Sequence, residues 1–198
     1  MPDKETIAVY DKQVDKYAAT FGSDEPSAAL KQFMAHLPNG AFVLDLGCGP
    51  GNSSNIMRNA GFKPDATDAS AKMVEFANRK FGIGARLATF EEISGTDIYD
   101  GIWANFSLLH ASKEDFPRHL TKLHTIIKPL GVFHIGLKTG TGSKRDKLGR
   151  YYTFYEEDEL HEFLQSAGYQ VFETRRGEEA GLAGDVSPWV TMLANAIK

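Results

Sequence analysis

Apolar and polar positions change period several times along this chain, and each change marks an element. Ile7, Tyr10, Val14, Tyr17 and Ala18 recur at three- or four-residue intervals, which places them on one face of a helix over residues 4–19. Leu30, Phe33, Met34 and Leu37 repeat that period after Pro26-Ser27, and Pro38-Asn39-Gly40 supplies the turn chemistry that stops it. The next apolar run, residues 41–46, is short and bounded by turn residues, and it reads as a buried strand. Helices are then predicted over 52–60, 71–80, 115–127 and 156–167, and strands over 62–67, 85–89, 100–104, 132–137, 169–174 and 189–196. Strands alternating with helices predict an α/β fold, a parallel sheet covered by helices on both faces. Residues 138–152, rich in glycine, threonine and charge, carry no period and predict a mobile surface loop, the candidate lid.

A length of 198 residues fits a single domain over 1–198, with residues 1–40 as an N-terminal helical cap. At 42% hydrophobic and 24% charged residues, the composition is that of an ordered globular chain. The balance of 22 basic against 26 acidic residues gives a net charge of −4, without the basic field of non-specific nucleic-acid binders, so a nucleic-acid partner is disfavoured. Cys48 is the single cysteine, which excludes an intramolecular disulfide and suits a reducing cytoplasm. No apolar run approaches the roughly 18–20 residues that span a bilayer, so neither membrane anchor nor signal peptide is expected. Oligomeric state is not written in the sequence.

The candidate chemistry begins at Val43-Leu44-Asp45-Leu46-Gly47-Cys48-Gly49-Pro50-Gly51, a buried strand running into three alternate glycines and a helix start. Glycine permits positive φ and close approach of a ligand, and the helix start offers amide groups. The spacing is not the GxGxxG of a dinucleotide turn, and the turn alone leaves NAD and S-adenosylmethionine both open.

VLDLGCGPG at 43–51 resembles the first motif of class I S-adenosylmethionine-dependent methyltransferases. Asp68, in Ala66-Thr67-Asp68-Ala69-Ser70, matches the acidic residue that holds the ribose hydroxyls in that family. Residues 88–92, Ala-Thr-Phe-Glu-Glu, occupy the third motif, with Thr89-Phe90 where many members carry an aspartate. Residues 99–110 are similar to the fourth motif and residues 126–132 to the segment after it. The tail over 138–152 resembles a subgroup often labelled small or tellurite-resistance-like methyltransferases. This resemblance implies a Rossmann-like, seven-stranded, mostly parallel sheet with an antiparallel last strand, and S-adenosyl-L-methionine as cofactor. It implies that Asp45 and Cys48 belong to the cofactor site, that the amide groups around Gly47 and Gly49 meet the methionine moiety, Asp68 the ribose, and Ala69, Thr89 and Phe90 the adenine region. Asn105 then falls beside the amino-acid end of the cofactor.

Methyl transfer from a sulfonium needs chiefly alignment and exclusion of water. His110 is the candidate base, with an intrinsic pKa suited to neutral pH, and structural packing is the competing account. Tyr10 and Tyr17 share one helix face; Tyr17 is the candidate to meet the sulfonium by cation–π attraction, against simple core packing. Arg145, Arg150, Tyr151 and Tyr152 are candidates to clamp an anionic or aromatic acceptor, or a solvated loop with an aromatic anchor. Cys48 reads as an apolar filler of the turn. The six histidines form no HExxH pair, and no metal is expected. The leading function is methylation of a small molecule. The alternatives are a tRNA or protein methyltransferase, and a cofactor-binding regulator or inactive subunit.

Overall fold

The computed structural model describes residues 3–198; residues 1 and 2, where the predicted cap begins, lie outside them. α1 (Lys4–Phe21) starts where the Asp3 carboxylate accepts the Thr6 N–H at 2.8 Å, and α2 (Ala28–Ala35) where Ser27 Oγ accepts the Leu30 N–H at 3.1 Å. Each cap satisfies a donor that a helix start leaves without an intrahelical partner. There follow β1 (Phe42–Leu46), α3 (Asn52–Asn59), β2 (Lys63–Asp68), α4 (Ala71–Phe81), β3 (Arg86–Leu87), β4 (Tyr99–Asn105), α5 (Phe116–Ile126) and β5 (Ile127–Lys138). The chain ends with β6 (Ser143–Arg145), β7 (Tyr151–Thr153), α6 (Glu157–Ser166), β8 (Tyr169–Ala180) and β9 (Val186–Ala196).

Seven strands form one sheet in the order β3-β2-β1-β4-β5-β9-β8. β1 to β5 pair in parallel, and β9, the last strand, runs antiparallel to both β5 and β8. This is the expected α/β, Rossmann-like sheet. The period of two within β1 divides the core between its faces. Leu44 and Leu46 join Phe116, Leu120 and Leu123 of α5 and Leu160 and Leu164 of α6, while Val43 joins Leu30 and Phe33 of α2 and Met57 of α3. Strand order reverses between β1 and β4, and the crevice outside the carboxyl ends at such a reversal is where α/β sheets take ligands.

Several elements differ from the sequence expectation; β5 begins at Ile127 rather than 132, and β9 at Val186 rather than 189. β8 continues to Ala180 rather than 174, paired along its length with β9; Glu173, Arg175, Arg176, Glu178 and Glu179 hide its pattern because an edge strand exposes charge. Residues 138–152 are more ordered than a mobile loop, since β6 and β7 pair as an antiparallel ribbon. Lys144, Arg145 and Lys147 are exposed, but one pair is turned inward: Arg150 is buried, and its Nη2 and Nε donate to Asp146 Oδ2 at 2.6 and 2.9 Å.

Candidate active site

The turn after β1 is tied to its neighbours by its own amides. Gly47 and Cys48 N–H both donate to the Thr67 carbonyl at 2.8 Å, and Gly49 N–H donates to Asp68 Oδ2 at 2.8 Å. Asp68 Oδ1 accepts the Ser70 N–H at 2.8 Å, so one carboxylate joins the turn to the start of α4. The Gly47 and Gly49 amides expected to meet the methionine moiety are thus hydrogen-bonded to β2. What the turn offers is Cα surface. Gly47 sits at φ 76°, and a Cβ there would lie 2.5 Å from the Ser107 Cβ, so glycine is required twice over.

Two chambers open beside this turn, a larger one of about 530 Å³ and a smaller one of about 110 Å³. Tyr10, Tyr17, Gly47, Gly49, Asn105 and Phe106 border both. Asp68, Ala69, Thr89, Phe90 and His110 line the smaller chamber, and Asp45 and Cys48 the larger. The structure thus brings together the residues expected to hold the cofactor, with Tyr17 and His110 beside them.

Local contacts define their states. Ser54 Oγ donates to Asp45 Oδ2 at 2.6 Å inside the core, and burial pushes the Asp45 carboxyl up to about 7. Asp68 is half-buried, and burial raises its pKa against the two amides that lower it. Cys48 is buried, and burial raises its thiol pKa, which suits a filler rather than a nucleophile. Thr89 donates N–H and Oγ1 to Glu92 Oε2, at 2.8 and 2.9 Å, fixing the backbone beside Phe90. Tyr17 packs over the glycine turn, and its ring centroid is 5.6 Å from that of Tyr10.

His110 differs from expectation in its basicity. Its Nδ1 is 2.6 Å from the Tyr151 carbonyl and its Nε2 2.8 Å from Tyr10 Oη, and burial pushes its pKa down to about 4. It is a neutral imidazole at pH 7, reaching the larger chamber only through Tyr10. The proposed clamp is corrected in part. Arg145 Nη2 lies 2.8 Å from Asp3 Oδ2, and neither Arg145 nor Tyr151 borders a chamber; Arg150 and Tyr152 border the larger one, but Arg150 is already paired with Asp146.

Three residues escaped the sequence reading. His134 is buried, stacks on Trp103 with centroids 3.7 Å apart, and has Nε2 3.0 Å from Asn105 Oδ1. Burial pushes its pKa down to about 3, so the neutral ring donates from Nε2 and orients the Asn105 amide. Only its place in an apolar strand was legible. Phe106, at the end of β4, has φ 56°, a conformation a bulky side chain adopts at a cost of about 1–3 kcal/mol and typically at functional sites. Lys138 lines the larger chamber. At the other end, Glu91, Asp115 and His119 bring ligand atoms within 4.8 Å of one another, a grouping no local motif announces.

The family described as "Methyltransferase domain" matches residues 43–131. The malonyl-[acyl-carrier protein] O-methyltransferase of Pseudescherichia vulneris is 29% identical over 152 residues, 75% of this chain and 54% of that protein. The chain thus spans about half the length of that curated relative. The Burkholderia thailandensis 1,6-didemethyltoxoflavin-N1-methyltransferase, solved with 1,6-didemethyltoxoflavin and S-adenosylhomocysteine, aligns with a TM-score of 0.72 at 22% identity, covering 96% of this chain and 88% of that one. The [4+2]-cyclase SpnF aligns at 0.75 with 15% identity, covering 99% and 97%. Motif, sheet order and family match point the same way: residues 43–131 match the methyltransferase-domain family, and the chain shares the fold of a solved methyltransferase.

Proposed function

We propose that the chain binds S-adenosylmethionine across the two chambers and passes its methyl group to a small-molecule acceptor in the larger one. The observation that carries this reading is the pair of chambers meeting at Tyr17, Gly47 and Asn105, with Asp68 on one side and open volume on the other. Bound there, the cofactor supplies an activated methyl on a sulfonium. Asp68, with lone pairs beyond those given to Gly49 and Ser70, receives the ribose hydroxyls. Ala69, Thr89 and Phe90 flank the adenine, while Gly47, Gly49 and the His134-anchored Asn105 meet the amino-acid end. Asp45 and Cys48 shape the turn beneath it.

On the acceptor side, Tyr17 presents its ring to the sulfonium. A proton leaving the acceptor passes to Tyr10 Oη as the Tyr10 proton passes to His110 Nε2. His110 is then the last station of a relay and not a base in contact with the acceptor. The ribbon over 143–153 closes the chamber through Arg150 and Tyr152 and serves as the lid, and α1 and α2 form the cap. The net charge of −4 favours a small molecule over a nucleic acid.

Because the same fold carries a cyclase, a second reading is adenosyl-ligand binding without transfer. Incubation of the protein with S-adenosylmethionine and a small-molecule panel separates the two. Acceptor-dependent release of S-adenosylhomocysteine supports transfer; tight binding without release across the panel supports the second reading.

A further inference from the structure

The larger chamber holds positive charge that the relay does not use. Lys138, the last residue of β5, is half-buried on its wall; Nζ reaches Ser187 Oγ at 3.4 Å and lies 4.7 Å from the Tyr152 ring centroid. Burial, and then the Arg150 charge, hold its pKa below the ordinary lysine value. Arg175 of β8 is half-buried on the same wall. Neither cation has a carboxylate within ion-pair distance among the described residues. The nearby acids are committed elsewhere: Asp146 to Arg150, Asp185 to Lys147 at 2.5 Å, and Glu157 to Arg176. Glu179 stands exposed at the rim.

Strand register explains why these cations converge. Asn105, Gly136, Thr191 and Arg175 stand opposite one another across β4, β5, β9 and β8, so they share one face of the sheet. Lys138 lies two residues past Gly136 and faces the same way, its Cα about 8 Å from that of Asn105 by strand rise and spacing. Gly136 leaves that face open, because a Cβ there would come 2.8 Å from Asn105 Oδ1. Trp189, opposite Lys138 on β9, and Tyr152 supply flat apolar walls.

Resting on the methyltransferase reading above, we propose that the acceptor is a carboxylate-bearing molecule with an apolar or aromatic body. Lys138 and Arg175 grip its anion, Trp189 and Tyr152 flank its body, and the atom to be methylated faces Tyr17 and Asn105. Ammonium and guanidinium groups on a chamber wall bind a carboxylate with charge-assisted hydrogen bonds, the guanidinium bidentately. A neutral acceptor covering these half-buried cations would take water from them without supplying a counter-charge.

The test titrates phenylacetate and hexanoate against phenylacetamide and hexanamide by ligand-observed NMR, on ligand-free protein and on protein saturated with S-adenosylhomocysteine. At least one acid is expected to bind tenfold or more tighter than its amide. Lys138→Met should abolish that preference, with S-adenosylhomocysteine affinity held within twofold, and Arg175→Gln should reduce it. Equal affinities, no binding of either pair, or a preference that survives Lys138→Met overturns the proposal. Failure of S-adenosylhomocysteine to bind overturns the methyltransferase reading instead, and the ligand-free titration still decides the anion site.

Discussion

Tyr10 Oη stands 2.8 Å from His110 Nε2, while the other ring nitrogen, Nδ1, stands 2.6 Å from the Tyr151 carbonyl oxygen. A carbonyl can only accept, so Nδ1 carries the proton and Nε2 receives the Tyr10 O–H. Arg150 Nη1 donates to the same Tyr10 oxygen at 3.2 Å. Helix α1, the turn after β4 and the ribbon are thereby joined at one hydroxyl, which borders both chambers.

This relay fixes the pH behaviour of His110. Its pKa falls from 6.5 to about 4 in the fold, so the unfolded chain binds more protons between those values. Its stabilisation is complete above about pH 6.5 and declines toward pH 4, by at most about 1.4 kcal/mol per pH unit. Asp45, pushed up to about 7, acts with the opposite sign, being stabilising at low pH and losing that contribution as pH rises. The His110 share is isolated by urea unfolding at pH 5 and pH 7. His110→Gln should show a smaller loss at pH 5 than the parent, and the imidazole resonances of His110 should not titrate near 6.5.

His134 acts on the ligand at one remove. His134→Phe preserves the stack on Trp103 but removes the hydrogen bond to Asn105 Oδ1. We expect about a tenfold loss of S-adenosylhomocysteine affinity, the value of one hydrogen bond, with less than about 1.5 kcal/mol change in folding stability. A merely structural histidine would show the reverse: lost stability and unchanged affinity.

Gly47→Ala combines an unfavourable φ with a collision against Ser107. A loss of about 2 kcal/mol or more is expected in thermal unfolding, together with loss of cofactor binding.

Asp146→Asn leaves the buried Arg150 guanidinium without its ion pair. Breaking such a pair costs about 3–5 kcal/mol. Hydrogen exchange should show faster exchange over residues 143–153 before the main sheet is affected.

The legible and illegible parts of this chain divide by what their side chains face. Helix α1, strand β1 and helix α4 could be bounded to within two residues because each buries one regular stripe or run. Edge strand β8 exposes Arg176, Glu178 and Glu179 past Thr174, and β3 is only two residues long, so neither kept a readable pattern at full extent. At the site, Gly47 was marked by the glycine turn, and Asp68 and Asn105 by the resemblance of their motifs to the methyltransferase family. His134, Phe106 and Lys138 were not: a buried hydrogen bond, a backbone angle and a cross-strand row depend on tertiary register. The ribbon was misread because the Arg150–Asp146 pair, four residues apart, looks like solvated charge until its burial is seen.

The most direct measurement is calorimetric titration of the purified protein with S-adenosylhomocysteine and with NAD, repeated with Asp68→Ala and with thermal unfolding as a control for the turn that Asp68 holds. We expect S-adenosylhomocysteine to bind and NAD not to, with affinity reduced at least thirtyfold, about 2 kcal/mol, in a variant that still unfolds cooperatively. Absence of adenosyl-ligand binding, preference for NAD, or undiminished affinity in a folded Asp68→Ala variant would contradict the assignment of this cleft.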